Sequence, residues 1–311
     1  MSQIQSTATD QLQSPRIKLA EQGPEFSQIV LGLWRLSSWQ MSVAERVQFL
    51  REALALGITT IDQADIYGDY TSEVLLGEAF AEAPDLRAQF QIVTKCGIQF
   101  PSANRPAQHA HIYNTSRSHI IASAEQSLRN MQVDVVDVLL IHRPDPLMQA
   151  DEVAEAFLHL QSAGKVRHFG VSNFSPAQFA LLHSRFPLVT NQVECSLMQM
   201  HALEDGCFDQ CQSVGIKPML WSALAGGALL SADTEQGRRL RATLESIAEN
   251  QGVSVTVIAL AWLLRLPVQP LILTGSSRVS VLREAVAATQ CELSRAEWFD
   301  LWRASKGFDI A

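Results

Sequence analysis

Val135-Val136-Asp137-Val138-Leu139-Leu140-Ile141-His142 is the stretch on which the fold turns. It is rich in β-branched residues, too short for an ordinary helix, and apolar at both odd and even positions. A strand with that pattern is covered on both faces, as in a parallel sheet flanked by helices. The same signature recurs at 58–62, in Gln91-Ile92-Val93-Thr94-Lys95, and at 166–171, 188–192, 217–221 and 271–274. Between these runs the apolar spacing changes to that of helices. One spans 43–56, with Leu50, Ala53, Leu54 and Leu56 on a core face and Gly57 as its stop. Another spans 118–130, with Ile121, Ala124, Leu128 and Met131 in register. Helices are also predicted over 71–81, 150–162, 175–185 (opened by Ser175-Pro176), 201–213, 236–249, 254–265 and 279–289.

Regular strand–helix alternation predicts an α/β protein built as one (β/α)8 TIM barrel. Ile17–Leu19 and Ile29–Leu33 read as a β-hairpin around Gly23-Pro24, placed before the barrel. An extra C-terminal helix is expected over 294–305, because Ser294 and Glu297 form a capping box. The expected organisation is therefore a mobile polar tail over 1–15 and a single barrel domain over 16–311. Two connections, 97–117 and 222–236, are long. Both follow strands, so both should hang over the C-terminal mouth and shape a pocket there.

Composition narrows the function. A net charge of -8 argues against a nucleic-acid footprint. The most apolar run, Val253–Leu266, is interrupted by Arg265 and followed by Pro267, and is shorter than the roughly 20 residues of a membrane span. It reads as a buried helix, so no membrane partner is expected. The first residues are polar and show no secretory signal. The cysteines Cys96, Cys195, Cys207, Cys211 and Cys291 have no metal-ligand or redox spacing. Reduced thiols and a cytoplasmic location are the expectation. His109 and His111 lack a third ligand nearby, so no metal site is expected.

The chemistry collects at strand ends. Asp62 and Tyr67 lie in Thr60-Ile61-Asp62-Gln63-Ala64-Asp65-Ile66-Tyr67-Gly68, Lys95 closes the 91–95 run, and His142 closes the opening stretch. In a barrel these positions share one mouth. A phenol needs help to give up its proton near neutral pH. The Lys95 ammonium would lower its pKa, Asp62 would hold that ammonium charged, and His142 would orient a substrate oxygen. A lyase with Lys95 as Schiff-base nucleophile is the weaker alternative.

Several segments together resemble the aldo-keto reductase superfamily, over about residues 17–293. They are Gly32-Leu33-Trp34, the 60–68 stretch, V-T-K-C-G at 93–97, L-L-I-H-R-P-D at 139–145, G-K-V-R-H-F-G-V-S-N-F at 164–174, N-Q-V-E at 191–194 and P-M-L-W-S-A-L at 218–224. Arg-Pro-Asp after the histidine is similar to the bacterial oxidoreductases of that superfamily. The resemblance implies NADP(H) as cofactor, bound without a G-x-G-x-x-G fingerprint, and reduction of aldehydes or ketones to alcohols. It implies Tyr67 as general acid, assisted by Asp62, Lys95 and His142. It also implies that Trp34, Tyr67 and His142 face a small carbonyl substrate. Ser172, Asn173 and Gln192 match positions that hold the nicotinamide carboxamide, and Trp221 matches an aromatic that stacks on the ring. Gly32, Leu33, Trp34, Asp62, Ser222, Leu224 and Gly226 complete the cofactor set at the mouth.

The cofactor tail falls to Gly275-Ser276-Ser277-Arg278, a loop entering a helix, with Glu284 at an adenine-facing position. Many relatives carry Lys, Arg and Asn where this chain has Gly275, Val281 and Ala285. Arg278 is then the cation best placed for a 2′-phosphate. The superfamily also contains potassium-channel beta subunits, so a cofactor-binding regulatory protein is the alternative reading. A monomer or weak homo-oligomer is expected.

Overall fold

The computed structural model describes residues 12–311. Eight parallel strands close a barrel in sequence order: β1 (Ile29–Gly32), β2 (Thr60–Asp62), β3 (Gln91–Cys96), β4 (Val136–Ile141), β5 (Val166–Ser172), β6 (Asn191–Glu194), β7 (Met219–Trp221) and β8 (Leu271–Thr274). β8 pairs back onto β1 through Ile272 with Ile29 and Thr274 with Leu31. Every residue of β4 is buried, as its two-sided apolar pattern requires. Alternation sorts the side chains. Val93 and Lys95 share one face of β3, and Val138, Leu140 and His142 share one face of β4 and its end. Val93, Val138 and Leu140 join Val30, Met219 and Leu271 in an inner cluster, separate from the larger core between barrel and helices. One step further along these strands, apolar filling gives way to polar side chains at the mouth.

The opposite end is plugged. Arg16–Lys18 pairs antiparallel with Glu25–Ser27, and the hairpin buries Leu19 and Phe26 completely beneath the inner cluster. This corrects the expected partner: Ile29–Gly32 is a barrel strand, and the hairpin's second strand is the shorter run before it. Ser27 makes the junction. Its hydroxyl donates to Ile29 O (2.7 Å) and accepts from the amides of Thr59 and Thr60 (both 3.1 Å), so the chain passes from hairpin to barrel without leaving buried donors unpaired. Residues 1–11 of the expected tail lie outside the described residues. From residue 12 the chain is docked, with Ser14 N donating to Leu56 O at 2.9 Å.

Other expectations shift at glycines and long loops. The helix expected over 201–213 is broken, because Gly206 takes φ +83° between a short turn at His201–Leu203 and the helix Cys207–Ser213. The 97–117 connection contains a small antiparallel pair, Ile98–Gln99 with Ile112–Tyr113. The apolar run becomes the helix Val255–Leu264, buried from Thr256 to Leu263. Among the described residues no single helix is long and apolar enough to cross a membrane. The terminal helix Arg295–Lys306 has its Ser294–Glu297 capping box. It docks by stacking Trp298 on Trp262, with ring centroids 4.8 Å apart. Each indole N–H donates to the other residue's carbonyl at 3.0 Å.

Helix Ser72–Glu82, which follows β2, crosses the end of helix Arg117–Met131 at Gly77. A Cβ there would press into the Asn130 carbonyl oxygen more closely than any real Cβ approaches. Helix propensity alone would make Gly77→Ala stabilising by ~1 kcal/mol. Overpacking should reverse the sign and destabilise by about 1–3 kcal/mol, read as a lower urea midpoint with unchanged slope. A raised midpoint would show that the two helices have slack.

Candidate active site

β2 ends at Asp62 and β3 carries Lys95 toward the same mouth, so the two side chains meet inside the barrel. The Lys95 Nζ to Asp62 Oδ1 distance is 2.6 Å, with side-chain exposures of 0% and 2%. Lys95 Nζ also donates to Gln63 O (2.9 Å) and to Tyr67 Oη (3.0 Å). Burial opposes its charge, but Asp62 and Tyr67 outweigh that effect and hold the ammonium above its ordinary pKa. All three ammonium hydrogens are engaged, which leaves no lone pair for Schiff-base attack.

Tyr67 lies just past β2, and its ring meets His142 edge-on with centroids 5.7 Å apart. Burial raises the phenol above its ordinary pKa, against the opposing charges of Lys95 and Arg143. The net direction reverses the lowering expected from the sequence: desolvation of a future phenolate outweighs the ammonium. The group therefore holds its proton through the neutral range, as a donor must. His142 is pulled well below its ordinary value, first by burial and then by Lys95 and Arg143. It is thus a neutral imidazole, and its buried Nδ1 has no hydrogen-bond partner.

The turn carrying Tyr67 is strained. Gly68, Asp69 and Tyr70 follow one another at φ 59°, 56° and 66°. Left-handed backbone costs a residue with a Cβ roughly 1–2 kcal/mol. At Gly68 a Cβ would lie 2.5 Å from the hydroxyls of Ser37 and Ser72. The 97–117 connection clasps this turn. Tyr70 Oη accepts from Phe100 N (3.2 Å) and donates to Gln108 Oε1 (2.7 Å), while Asn104 Nδ2 donates to Asp69 O (2.8 Å).

The amide and indole groups stand on the far side of the mouth. Gln192 Nε2 donates to Asp62 Oδ2 at 2.7 Å. Ser172 Oγ donates to Gln192 O (2.9 Å) and accepts from Asn173 Nδ2 (2.8 Å), and Trp221 Nε1 donates to Asn173 Oδ1 (3.1 Å). Asn173 sits at φ 59°, a conformation asparagine tolerates, and its amide N–H donates to Gln192 O at 2.9 Å. A hydrogen-bonded chain thus runs from Tyr67 through Lys95, Asp62 and Gln192 to Ser172, Asn173 and Trp221.

This donor set fits a carboxamide. Gln192 Oε1 remains an acceptor, Asn173 keeps a second amide hydrogen, and the half-buried Trp221 offers a flat apolar face beside them. Gly32 ends β1 against the Thr274 carbonyl of β8. Leu33 is buried, while Trp34 is 60% exposed at the rim with the Arg35 guanidinium 5.2 Å from its ring centroid. Ser222 (φ 58°), Ala225 (φ 52°), Gly226 (φ 65°) and Gly227 (φ 101°) curl the β7 connection beside Arg35, with Leu224 partly buried beneath. Gly275, Ser276, Ser277 and an exposed Arg278 lead into helix Val279–Ala287, which has no side-chain cap, and Glu284 is half-buried on that helix. Ser276 Oγ accepts from Arg278 N at 3.2 Å, so the loop is preformed at a helix N-terminus.

A profile of the Aldo/keto reductase family matches residues 28–305. The chain belongs to that family. It is 52% identical over 299 residues to Oxidoreductase YdhF of Escherichia coli (strain K12), covering 95% of this chain and 99% of the relative. It is 43% identical over 290 residues to a 6-dehydroglucose reductase of Agrobacterium fabrum, covering 92% and 97%. The solved glycerol dehydrogenase AKR11B4 from Gluconobacter oxydans superposes with a TM-score of 0.83 at 25% identity, over 95% of this chain and 97% of that one. The protein is thus an aldo-keto reductase barrel and an oxidoreductase of the carbonyl/alcohol class.

Sequence reasoning passed over Asp65, Gln63, Glu73 and Arg143. Arg143 follows His142 directly and places its guanidinium 5.7 Å from the Trp221 ring centroid. A charged residue immediately after a buried strand end was the available signal. Asp65 and Glu73 are buried carboxyls behind the site. Glu73 accepts from Thr94 Oγ1 (2.7 Å) and Asn130 Nδ2 (3.1 Å), and Asp65 accepts from Ser123 Oγ (2.6 Å). Among the described residues, no group of three His, Cys, Asp or Glu side chains is arranged to hold a metal ion.

Burial pushes the Asp65 carboxyl up to about 7, with the Ser123 hydrogen bond opposing and Glu73 adding to the rise. An unfolded aspartate releases its proton near 3.9, so between roughly pH 4 and 7 the folded state holds the extra proton. Stability from this group therefore falls as pH rises through that window. The loss is on the order of 3–4 kcal/mol, and Asp65→Asn, which can still accept from Ser123, should remove it. Urea melts at pH 5 and pH 8 should show the variant gaining on the parent at the higher pH. Parallel shifts in both proteins would contradict the assignment.

Proposed function

We propose that the protein is an NADP(H)-dependent reductase of aldehydes and ketones, with Tyr67 as general acid. The observation that carries this reading is the Gln192–Asp62 hydrogen bond, because it joins a proton-donating trio to a carboxamide-binding trio in one network. The cofactor would supply hydride to the carbonyl carbon. Ser172, Asn173 and Gln192 would hold its carboxamide, Trp221 would support its ring, and Gly275–Arg278 would hold its phosphates. Gly32, Leu33, Trp34, Ser222, Leu224, Gly226 and Glu284 would complete the seat.

The chain's own residues account for the proton. Tyr67 keeps its hydrogen until negative charge develops on the substrate oxygen. As it gives up that hydrogen, the phenolate forms 3.0 Å from an ammonium already fixed by Asp62. The stabilisation is in place before the charge appears, which favours the transition state over the ground state. His142, neutral at physiological pH, can donate a hydrogen bond to the same oxygen without competing as an acid. Trp34, at the rim, would meet the rest of the substrate. A monomeric or weakly associated protein working in the cytoplasm is consistent with this chemistry.

Tyr67→Phe keeps the ring and removes the hydroxyl. It should lower kcat for aldehyde reduction by roughly 10²- to 10⁴-fold, while quenching of tryptophan fluorescence by NADPH persists. Reduction at the parent rate would end the mechanism. A second titration concerns the cofactor tail. NADPH should bind more tightly than NADH, and Arg278→Ala should narrow that ratio by roughly tenfold, the loss of one charge-assisted contact. An unchanged ratio would remove Arg278 from 2′-phosphate recognition.

A further inference from the structure

Among the described residues, Arg143, directly after His142, makes no salt bridge. The guanidinium stays charged at any working pH. It is half-buried, and the carboxylates around it are occupied or do not reach it. Asp62 is held by Lys95 and Gln192. Asp145, two residues along, accepts from Thr115 Oγ1 (2.8 Å) and Leu147 N (2.8 Å). Glu194, in register with Trp221 on the neighbouring strand, makes no salt bridge with it. The guanidinium instead lies over the aromatic face of Trp221, its carbon 5.7 Å from the ring centroid. Its charge also reaches the reacting groups: like Lys95, it favours ionisation of Tyr67 and opposes protonation of His142.

A half-buried cation with no carboxylate of its own gains most when an anion arrives. Structural arginines at such positions normally find a carboxylate in the protein. Here the planar fork lies against an indole, which fixes its orientation and leaves its N–H edge free for a carboxylate-like partner.

We infer that Arg143 is the substrate-selecting residue of this site, and that the preferred substrates are aldehydes or ketones bearing an anionic group such as a carboxylate, recognised by its guanidinium while the carbonyl oxygen meets Tyr67 and His142. The inference rests on the carbonyl-reductase reading above.

The test uses a near-isosteric pair, 4-carboxybenzaldehyde and its methyl ester, with the full-length protein and NADPH. The parent should favour the acid in kcat/KM. Arg143→Gln should lower the acid-to-ester ratio by roughly ten- to a hundredfold, the value of a charge-assisted hydrogen bond. Arg143→Lys, which keeps the charge, should retain most of the preference. If the parent shows no preference for the acid, or if Arg143→Gln lowers both substrates equally, the arginine acts on Tyr67 or His142 and the inference falls. If the parent reduces neither aldehyde, the reductase reading is at fault, and calorimetric binding of the same two compounds decides the role of Arg143. Weaker binding of the acid alone in Arg143→Gln supports selection, and equal binding by parent and variant overturns it.

Discussion

An ammonium buried to 0% exposure is the constraint around which the mouth of this barrel is arranged. Left alone, such a group would lose its proton or unfold its surroundings. Lys95 keeps its charge because Asp62 sits 2.6 Å away and the Gln63 carbonyl and Tyr67 hydroxyl take its other two hydrogens. Removing one partner of a buried pair typically costs about 3–5 kcal/mol. The barrel supports that arrangement by closing its far end with the Leu19–Phe26 plug, so that the polar layer faces one exit only. Asp62 in turn fixes Gln192, and Gln192 fixes Ser172 and Asn173. The two halves of the site therefore share one electrostatic anchor.

Much of the fold could be read locally. The 135–142 run announces a strand covered on both faces, and Ser294 with Glu297 announces a helix start, because each depends on neighbours only a few residues apart. The errors came where a distant partner decides. Ile29–Gly32 looks as ready to join a hairpin as a barrel; its pairing with Leu271–Thr274, at the other end of the chain, makes it a barrel strand. The helix expected over 201–213 fails at Gly206 because a glycine's freedom to take φ +83° is visible in sequence only as a possibility.

The candidate site was legible in identity more than in wiring. Asp62, Tyr67, Lys95 and His142 were found from strand ends, and their convergence follows from the barrel. Gln192 was expected to serve a carboxamide, but its bond to Asp62 spans 130 residues and has no local signature. The direction of the Tyr67 shift was missed for a related reason. An ammonium nearby is foreseeable from the motif, whereas the depth of burial that outweighs it belongs to the assembled mouth. Arg143 was in plain view beside His142. That no carboxylate among the described residues pairs with it is a property of the assembled mouth, where it lies against Trp221.

The clasp between the 97–117 connection and the turn at Gly68–Tyr70 bears on how such an enzyme can diversify. Loops over a barrel mouth are the usual raw material for new substrate ranges, since they can change while the scaffold stays. In this chain Phe100, Asn104 and Gln108 on that loop hold the strained residues immediately after Tyr67. A transplanted loop lacking those contacts would change more than the pocket wall, because the turn would relax and carry the tyrosine with it. Exchange of this segment between relatives should therefore succeed only when the turn travels with the loop as one inherited block.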